Sequence, residues 1–402
     1  MNNESENNLI LEAARTLLKS ADDAKFSKLL TADLDWDYLL ETLHRHKLTP
    51  LFFWRLNESG LSGHIAASQF EKLRTIYLSS VVNNHKLYQR LTRVLALFAE
   101  KKIPVILLKG AALGINTYPD SALRPFGDLD ILVHKSDVKQ GQELLENLGY
   151  QLVKDIYFPV PDEKNDELGC EWTYHFNSSV VELHWTLIDE LNPFQIDITR
   201  FWDKGEEVNV NEQKALVLNP ANQILHLCLH QSKHLWKHLR DLTDIGLVME
   251  TFAERTDWEK LYFDAKSQDL DLCVFYSISL AQKVLEISLP SDVVNILAKL
   301  DRSTIVGKGV MEMIAANILE EHLPRRFWKL LTVKGAKNKV ISAANAISHP
   351  LPRSHERTSI SDIRKPVSYF GKARATFISS FYYRKLFFEF SRYLVKSFSR
   401  KI

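Results

Sequence analysis

The hydrophobic positions of this chain follow a helical period for about a hundred residues, switch to a strand period, and then return to the helical one. Leu9, Leu11, Ala14, Leu17 and Leu18 recur at helical spacing, after a polar stretch, residues 1–8, expected to fray. Asp35 stands where a cap is needed before WDYLLETLHRH. From Ser68 to Lys101 the apolar residues Phe70, Leu73, Tyr77, Val81, Leu87, Leu91, Val94, Leu95 and Phe98 predict one long or two shorter helices with a buried stripe. The pattern then changes. Val105 to Leu108 is a short apolar run, Lys109-Gly110 follows, and AALGI suits a helix. Asp128 to Val133, DLDILV, alternates as a strand does. Strands are thus expected near 104–109 and 128–133, a helix from Asp137 to Leu148 capped by Gly149, and a third strand near Tyr150. Residues 159–169 read as a loop, and Glu171–Phe176 with Ser179–Trp185 read as a hairpin across Asn177-Ser178.

Helical signals return from about residue 190. Pro220 suits a first helical turn, and further helices are expected over Trp258–Lys266, Leu270–Leu285, Ser291–Leu300 and Gly309–Leu319. The segment Lys334 to Pro366, with Gly335, Pro350, Pro352 and Pro366, reads as a linker. Ala375 to Ile402 reads as a basic, aromatic amphipathic helix. The fold class is α+β: a small mixed-sheet core at 101–190 embedded between a helical region at 1–100 and a helical domain at 191–323, followed by a basic C-terminal region at 324–402.

The strand Asp128–Val133 carries the chemistry. Alternation puts Asp128 and Asp130 on one face and sends Leu129, Ile131 and Val133 into a core. Two carboxylates about 7 Å apart along a strand can grip one hard cation. In the later strand, Val181, Leu183 and Trp185 share one face while Glu182 and His184 share the other. Glu182 is the candidate third carboxylate, with Asp155 and Glu171 as weaker substitutes. Gly110 would let backbone approach phosphates closely, with Lys109, Gly127 and His184 beside it, and Arg124 would neutralise a leaving pyrophosphate.

LKGAAL, then YPD, then R-x-x-GDLDILV resembles the uncharacterised bacterial nucleotidyltransferases of the DNA polymerase beta-like superfamily, most strongly over about residues 100 to 250. In that superfamily Gly-Ser or Gly-Gly usually fills the first turn, closer to the paired acids; here Lys109-Gly110-Ala111 and a longer spacer replace it. The resemblance favours the V-E-L-H-W position of Glu182 for the third acid. It implies an enzyme using Mg²⁺, one ion or two, to move a nucleoside monophosphate from a nucleoside triphosphate to a hydroxyl acceptor. It also makes His230, His234 and Asp244 correspond to family positions, and these three are the candidates to face the cleft. His226, His230, His234 and His238 are spaced by four along one segment, but that spacing drifts around a helix, so all four cannot share one ion.

Composition narrows the remaining choices. With 45% hydrophobic and 25% charged residues the chain can bury a sizeable core, and no run approaches a membrane span. Three scattered cysteines and a polar N-terminus without the features of a secretory signal suit the cytoplasm. Charge is lopsided: residues 324–402 hold 18 Lys/Arg against 3 Asp/Glu, and the rest holds 33 against 47. The basic tail predicts either docking on the acidic body or attachment to an anionic membrane surface, peripheral to the inner face. The acidic body offers no extended basic channel, which argues against a nucleic-acid partner. Two alternatives accompany the main reading: a catalytically weak nucleotide-binding or regulatory protein of the same fold, and a transferase acting at a membrane surface on polysaccharide precursors.

Overall fold

Side-chain capping and buried apolar stripes set the helices of the N-terminal region. The computed structural model describes residues 3–153, 169–189, 194–300 and six positions between 311 and 319. Most of the expected loop at 159–169, part of the helix at 309–319, Asp155, the linker and the basic terminal helix fall outside the described residues. α1 (Glu4–Arg15) starts earlier than expected, because Glu6 is buried and accepts the Asp35 amide at 2.6 Å while Leu9 and Ile10 are fully enclosed. α2 (Asp23–Leu30) follows. α3 (Trp36–Arg45) is capped by the Asp35 carboxylate, which accepts from the amides of Asp37 and Tyr38. After α4 (Thr49–Glu58), α5 (Ala67–Glu100) runs as a single helix of 34 residues, about 51 Å long at 1.5 Å per residue.

The central sheet is built from β1 (Ile106–Leu107), β2 (Asp128–Leu132), β3 (Gln151–Leu152), β4 (Glu171–Phe176), β5 (Ser179–His184), β6 (Glu206–Val210) and β7 (Gln213–Val217). Its order is β3-β4-β5-β2-β1-β7-β6. β2 runs parallel to β5 and β1 parallel to β7, while the other neighbours are antiparallel, so the sheet is mixed and the fold α+β. The hairpin predicted across Asn177-Ser178 is present, with Asn177 at φ 52° in the left-handed region. The β6–β7 hairpin stands where the sequence pattern predicts helix, from about residue 190 onward. Its polar, half-exposed residues give little core signal, and it gains its place only because Val217 pairs with Leu107. The sheet therefore extends beyond residue 190, to Val217.

α6 (Lys109–Asn116) leaves β1, and α7 (Val138–Asn147) links β2 to β3. Gly149, at φ 89°, ends α7 as predicted. α8 (Pro220–Lys233), α9 (Leu239–Thr251), α10 (Trp258–Ser267), α11 (Asp271–Leu285) and α12 (Ser291–Leu300) follow the sheet. One face of the sheet presents Leu129, Ile131, Val133, Val181, Leu183 and Trp185 to α5 and α7. The other presents Ile106 and Leu132 to a large helical core. That core merges α1–α4 with α8–α12, two regions far apart in sequence. Thr243 donates to the Ala14 carbonyl at 2.8 Å and Arg15 to the Val284 carbonyl at 3.0 Å, joining the two.

Candidate functional site

Parallel pairing of β2 with β5 sets Asp130 directly beside Glu182. Alternation then brings Asp128, Asp130, Glu182 and His184 to one face, away from the enclosed Leu129, Ile131, Leu183 and Trp185. Asp130 is buried, Glu182 and Asp128 are half-buried, and His184 is buried. The Lys109 ammonium projects between the carboxylates, donating to Asp130 Oδ1 and, at 3.2 Å, to Glu182 Oε2. Lys109 itself has φ 48°, a left-handed backbone that a non-glycine residue adopts at a cost of about 1–2 kcal/mol. His184 Nε2 lies 3.2 Å from Asp130 Oδ1 and 3.5 Å from Glu182 Oε2, and its Nδ1 lies 3.0 Å from Glu171 Oε2. That last contact is close but poorly aligned as a hydrogen bond.

Burial pushes the Asp130 carboxyl up to about 7, against the pull of Lys109 and with the repulsion of Asp128 and Glu182 added. Glu182 goes the other way: burial works to raise it, but Lys109 and hydrogen bonds with His184 and Asp130 hold it well below the usual carboxylate range. The two directions fit one unequal pair, in which the deeper acid takes up a proton first. Burial also opposes charge on Lys109 and His184, yet the surrounding carboxylates prevail. Lys109 stays well above its ordinary value, and Glu171, Asp130 and Glu182 raise His184 to about 9.

Among the described residues, Asp130, Glu182 and His184 form the one group of three ligand-type side chains whose donor atoms lie within 4.8 Å of one another. Asp130 Oδ2 is buried with no hydrogen-bond partner, an orphaned acceptor that a cation would satisfy. The donor set therefore fits a divalent cation, provided Lys109 withdraws. A protonated His184 carries a hydrogen on each ring nitrogen and ligates nothing, which leaves the carboxylate oxygens that hard cations prefer.

Other residues singled out in the sequence take different places. Arg124 is buried and pairs with Asp244, Nε to Oδ1 at 3.2 Å and Nη2 to Oδ2 at 2.8 Å, while Tyr118 donates to Asp244 Oδ1 at 2.7 Å. Both charges expected in the cleft are thus committed to each other. Gly110 is needed for packing: a Cβ there would meet Phe126 Cβ at 2.5 Å and Arg124 Nη1 at 3.0 Å, so side chains cover the position expected to admit phosphate. Gly127 is exposed beside open space. On α8, the His226 and His230 rings stand 6.2 Å apart, and the His230 and His234 rings 4.6 Å apart. Burial, with Lys109 nearby, holds His226 and His230 well below their ordinary value, so both are neutral. His226 lines a small pocket with Lys109 and Gln223. His238 lies past the end of α8 and donates from Nδ1 to the Arg45 carbonyl at 2.9 Å.

The role of Glu171 as a partner of His184 was not legible locally, because it depends on the β4–β5 register that sets Glu171 opposite His184. Lys109 as a counter-ion of the acids was equally hidden, since nothing in the sequence fixes its rotamer.

No curated protein matches the chain. A crystal structure of an antigenic nucleotidyltransferase-like protein from Paracoccidioides brasiliensis aligns with 53% of this chain and 97% of its own, at 14% identity and a TM-score of 0.33. Residues 32–286 match the sequence profile of a family described as uncharacterised nucleotidyltransferase, and over that span, more than half its length, the chain belongs to that family.

Proposed function

We propose that this protein is a Mg²⁺-dependent nucleotidyltransferase that moves a nucleoside monophosphate from a nucleoside triphosphate to a hydroxyl acceptor and releases pyrophosphate. One observation carries the reading: the register that sets Asp130 beside Glu182, with Asp128 on the same face and an unsatisfied buried oxygen on Asp130. Asp128, Asp130 and Glu182 would hold the cation, which when bound would neutralise phosphate charge and lower the pKa of the attacking hydroxyl. Glu182, more open than Asp130, would accept the proton of that hydroxyl. His184, held cationic by Glu171, Asp130 and Glu182, fixes the orientation of both acids. The neutral His226 and His230 lie on the Lys109 side of the centre, where they would orient an uncharged acceptor.

The test incubates purified protein with Mg²⁺ and each α-labelled nucleoside triphosphate, adds cell extract, and follows label into an acceptor. Asp130→Asn should lower transfer at least a hundredfold, since the site loses a charge aimed at the reacting phosphate. Glu182→Gln should lower turnover more than nucleotide affinity. Near-normal transfer by both variants would sink the reading.

A second reading is favoured by one specific feature, the Lys109 ammonium lodged between the carboxylates. If it does not yield to a cation, the protein is a nucleotide-binding regulator of the same fold. Nucleotide binding without pyrophosphate release would select that reading.

A further inference from the structure

With Arg124 committed to Asp244, the cation that faces the centre from the Asp128 side is one with no motif around it: Lys47, in the turn between α3 and α4. The turn is fastened to the start of α9 by the two residues just before Lys47. His46 Nδ1 accepts the Leu239 amide at 3.2 Å, and the Arg45 carbonyl accepts from His238 Nδ1 at 2.9 Å. Lys47 has φ 59°, a left-handed backbone that usually falls to glycine or asparagine. The charged groups it faces are Arg240, Asp241, Arg124 and Asp128. Arg240 is buried; its Nη1 donates to the Pro125 carbonyl at 2.8 Å, its Nη2 reaches Asp241 at 3.3 Å, and its Nε is buried without a partner. Arg124 is neutralised by Asp244 and Arg240 by Asp241. Lys47 is exposed, and no ion pair to it or to Asp128 is found among the described residues. A left-handed turn thus holds an ammonium that no ion pair among the described residues commits, beside Arg240, which reaches the Pro125 carbonyl three residues before Asp128. A cation uncommitted to any ion pair beside the Asp128 face can meet an anion there without first giving up a partner.

We propose that Lys47, with Arg240 behind it, binds the β- and γ-phosphates of the nucleotide, so that the N-terminal helical layer supplies the cation for the leaving pyrophosphate. This rests on the nucleotidyltransferase reading above. It divides the centre into two sides: the phosphate chain toward Asp128 and Lys47, and the acceptor toward Glu182, Glu171 and α8.

Full-length wild type, Lys47→Ala, Lys47→Arg and Lys101→Ala would be titrated, with Mg²⁺, against the four ribonucleoside triphosphates, inorganic pyrophosphate and the matching monophosphates. Lys101, exposed at the end of α5, reports the effect of losing a remote charge. Lys47→Ala should weaken triphosphate and pyrophosphate about tenfold, the loss of one charge-assisted contact. Monophosphate binding should stay within twofold, and Lys47→Arg should recover most of the affinity. If wild type binds triphosphate and pyrophosphate and Lys47→Ala binds them equally well, the inference fails alone. A loss confined to monophosphates, pointing to an acceptor-side contact, overturns it too. If wild type binds neither triphosphate nor pyrophosphate, the nucleotidyltransferase reading falls and takes this inference with it.

Discussion

The Arg124–Asp244 pair joins the loop that delivers Asp128 to helix α9, and replacing Asp244 by Asn tests how much of the fold depends on it. Asp244 is fully buried and accepts three hydrogen bonds, two from Arg124 and one from Tyr118. The substitution keeps the shape but removes the charge. It leaves the Arg124 guanidinium, whose side chain is 7% exposed, without a counter-ion, and one amide N–H2 now faces a donor. Breaking a buried pair from one side costs about 3–5 kcal/mol. Tyr118→Phe removes a single bond to a charged acceptor and should cost about 1.5–3 kcal/mol. Removing both charges together, as Arg124→Met with Asp244→Leu, should cost far less than Asp244→Asn, because no unpaired charge remains. Urea unfolding followed by tryptophan fluorescence reads all three. An Asp244→Asn cost below about 1 kcal/mol, or a double variant as damaged as the single one, would refute the reasoning. A further arm separates structure from binding: if Arg124 contacted phosphate, Arg124→Lys would weaken nucleotide binding while sparing stability.

Three shorter expectations follow from the same geometry. Gly110→Ala should destabilise by about 1–3 kcal/mol in the same unfolding assay, because its Cβ would sit 2.5 Å from Phe126 Cβ, which has no free end to swing away; an unchanged midpoint would show that Phe126 does not pack there. Lys109→Met should raise the affinity for Mn²⁺, read by calorimetry or paramagnetic resonance, since the ammonium occupies the space between Asp130 and Glu182; weaker binding would contradict that placement. Lys47→Gln should melt higher than wild type at pH 7. Arg240 pushes the Lys47 ammonium from its ordinary 10.5 down to about 8, outweighing the opposite pull of Asp241 and Asp128, so the folded state is penalised below pH 8 and the penalty fades between pH 8 and 10.5 as the unfolded chain also loses its proton. The difference in melting temperature should close over that window, and a constant difference would rule out the crowded charge as its source.

Much of the core was legible because strand alternation is a local property. DLDILV and VELHW each declare which residues turn inward, and the enclosed Leu129, Ile131, Val181 and Leu183 lie where that pattern sends them. Caps at Asp35 and Gly149 and the turn at Asn177 are also local, since each depends on a backbone conformation within a few residues. The β6–β7 hairpin was not legible, because its polar residues favour a strand only when β1 offers an edge to pair with. Partner choice was equally hidden. Arg124 has the same appearance in sequence whether it meets phosphate or Asp244, 120 residues away, and only the packing of α9 against the loop before β2 decides between them. Glu171 becomes a neighbour of His184 through register, and Lys47 comes to face Asp128 through a helical layer assembled from both ends of the described chain. Alternation and capping determine which side chains are available to a site, because their energies are settled within one turn or one strand. Long-range pairing and charge burial decide which of them meet, because those energies exist only once distant segments have excluded water together.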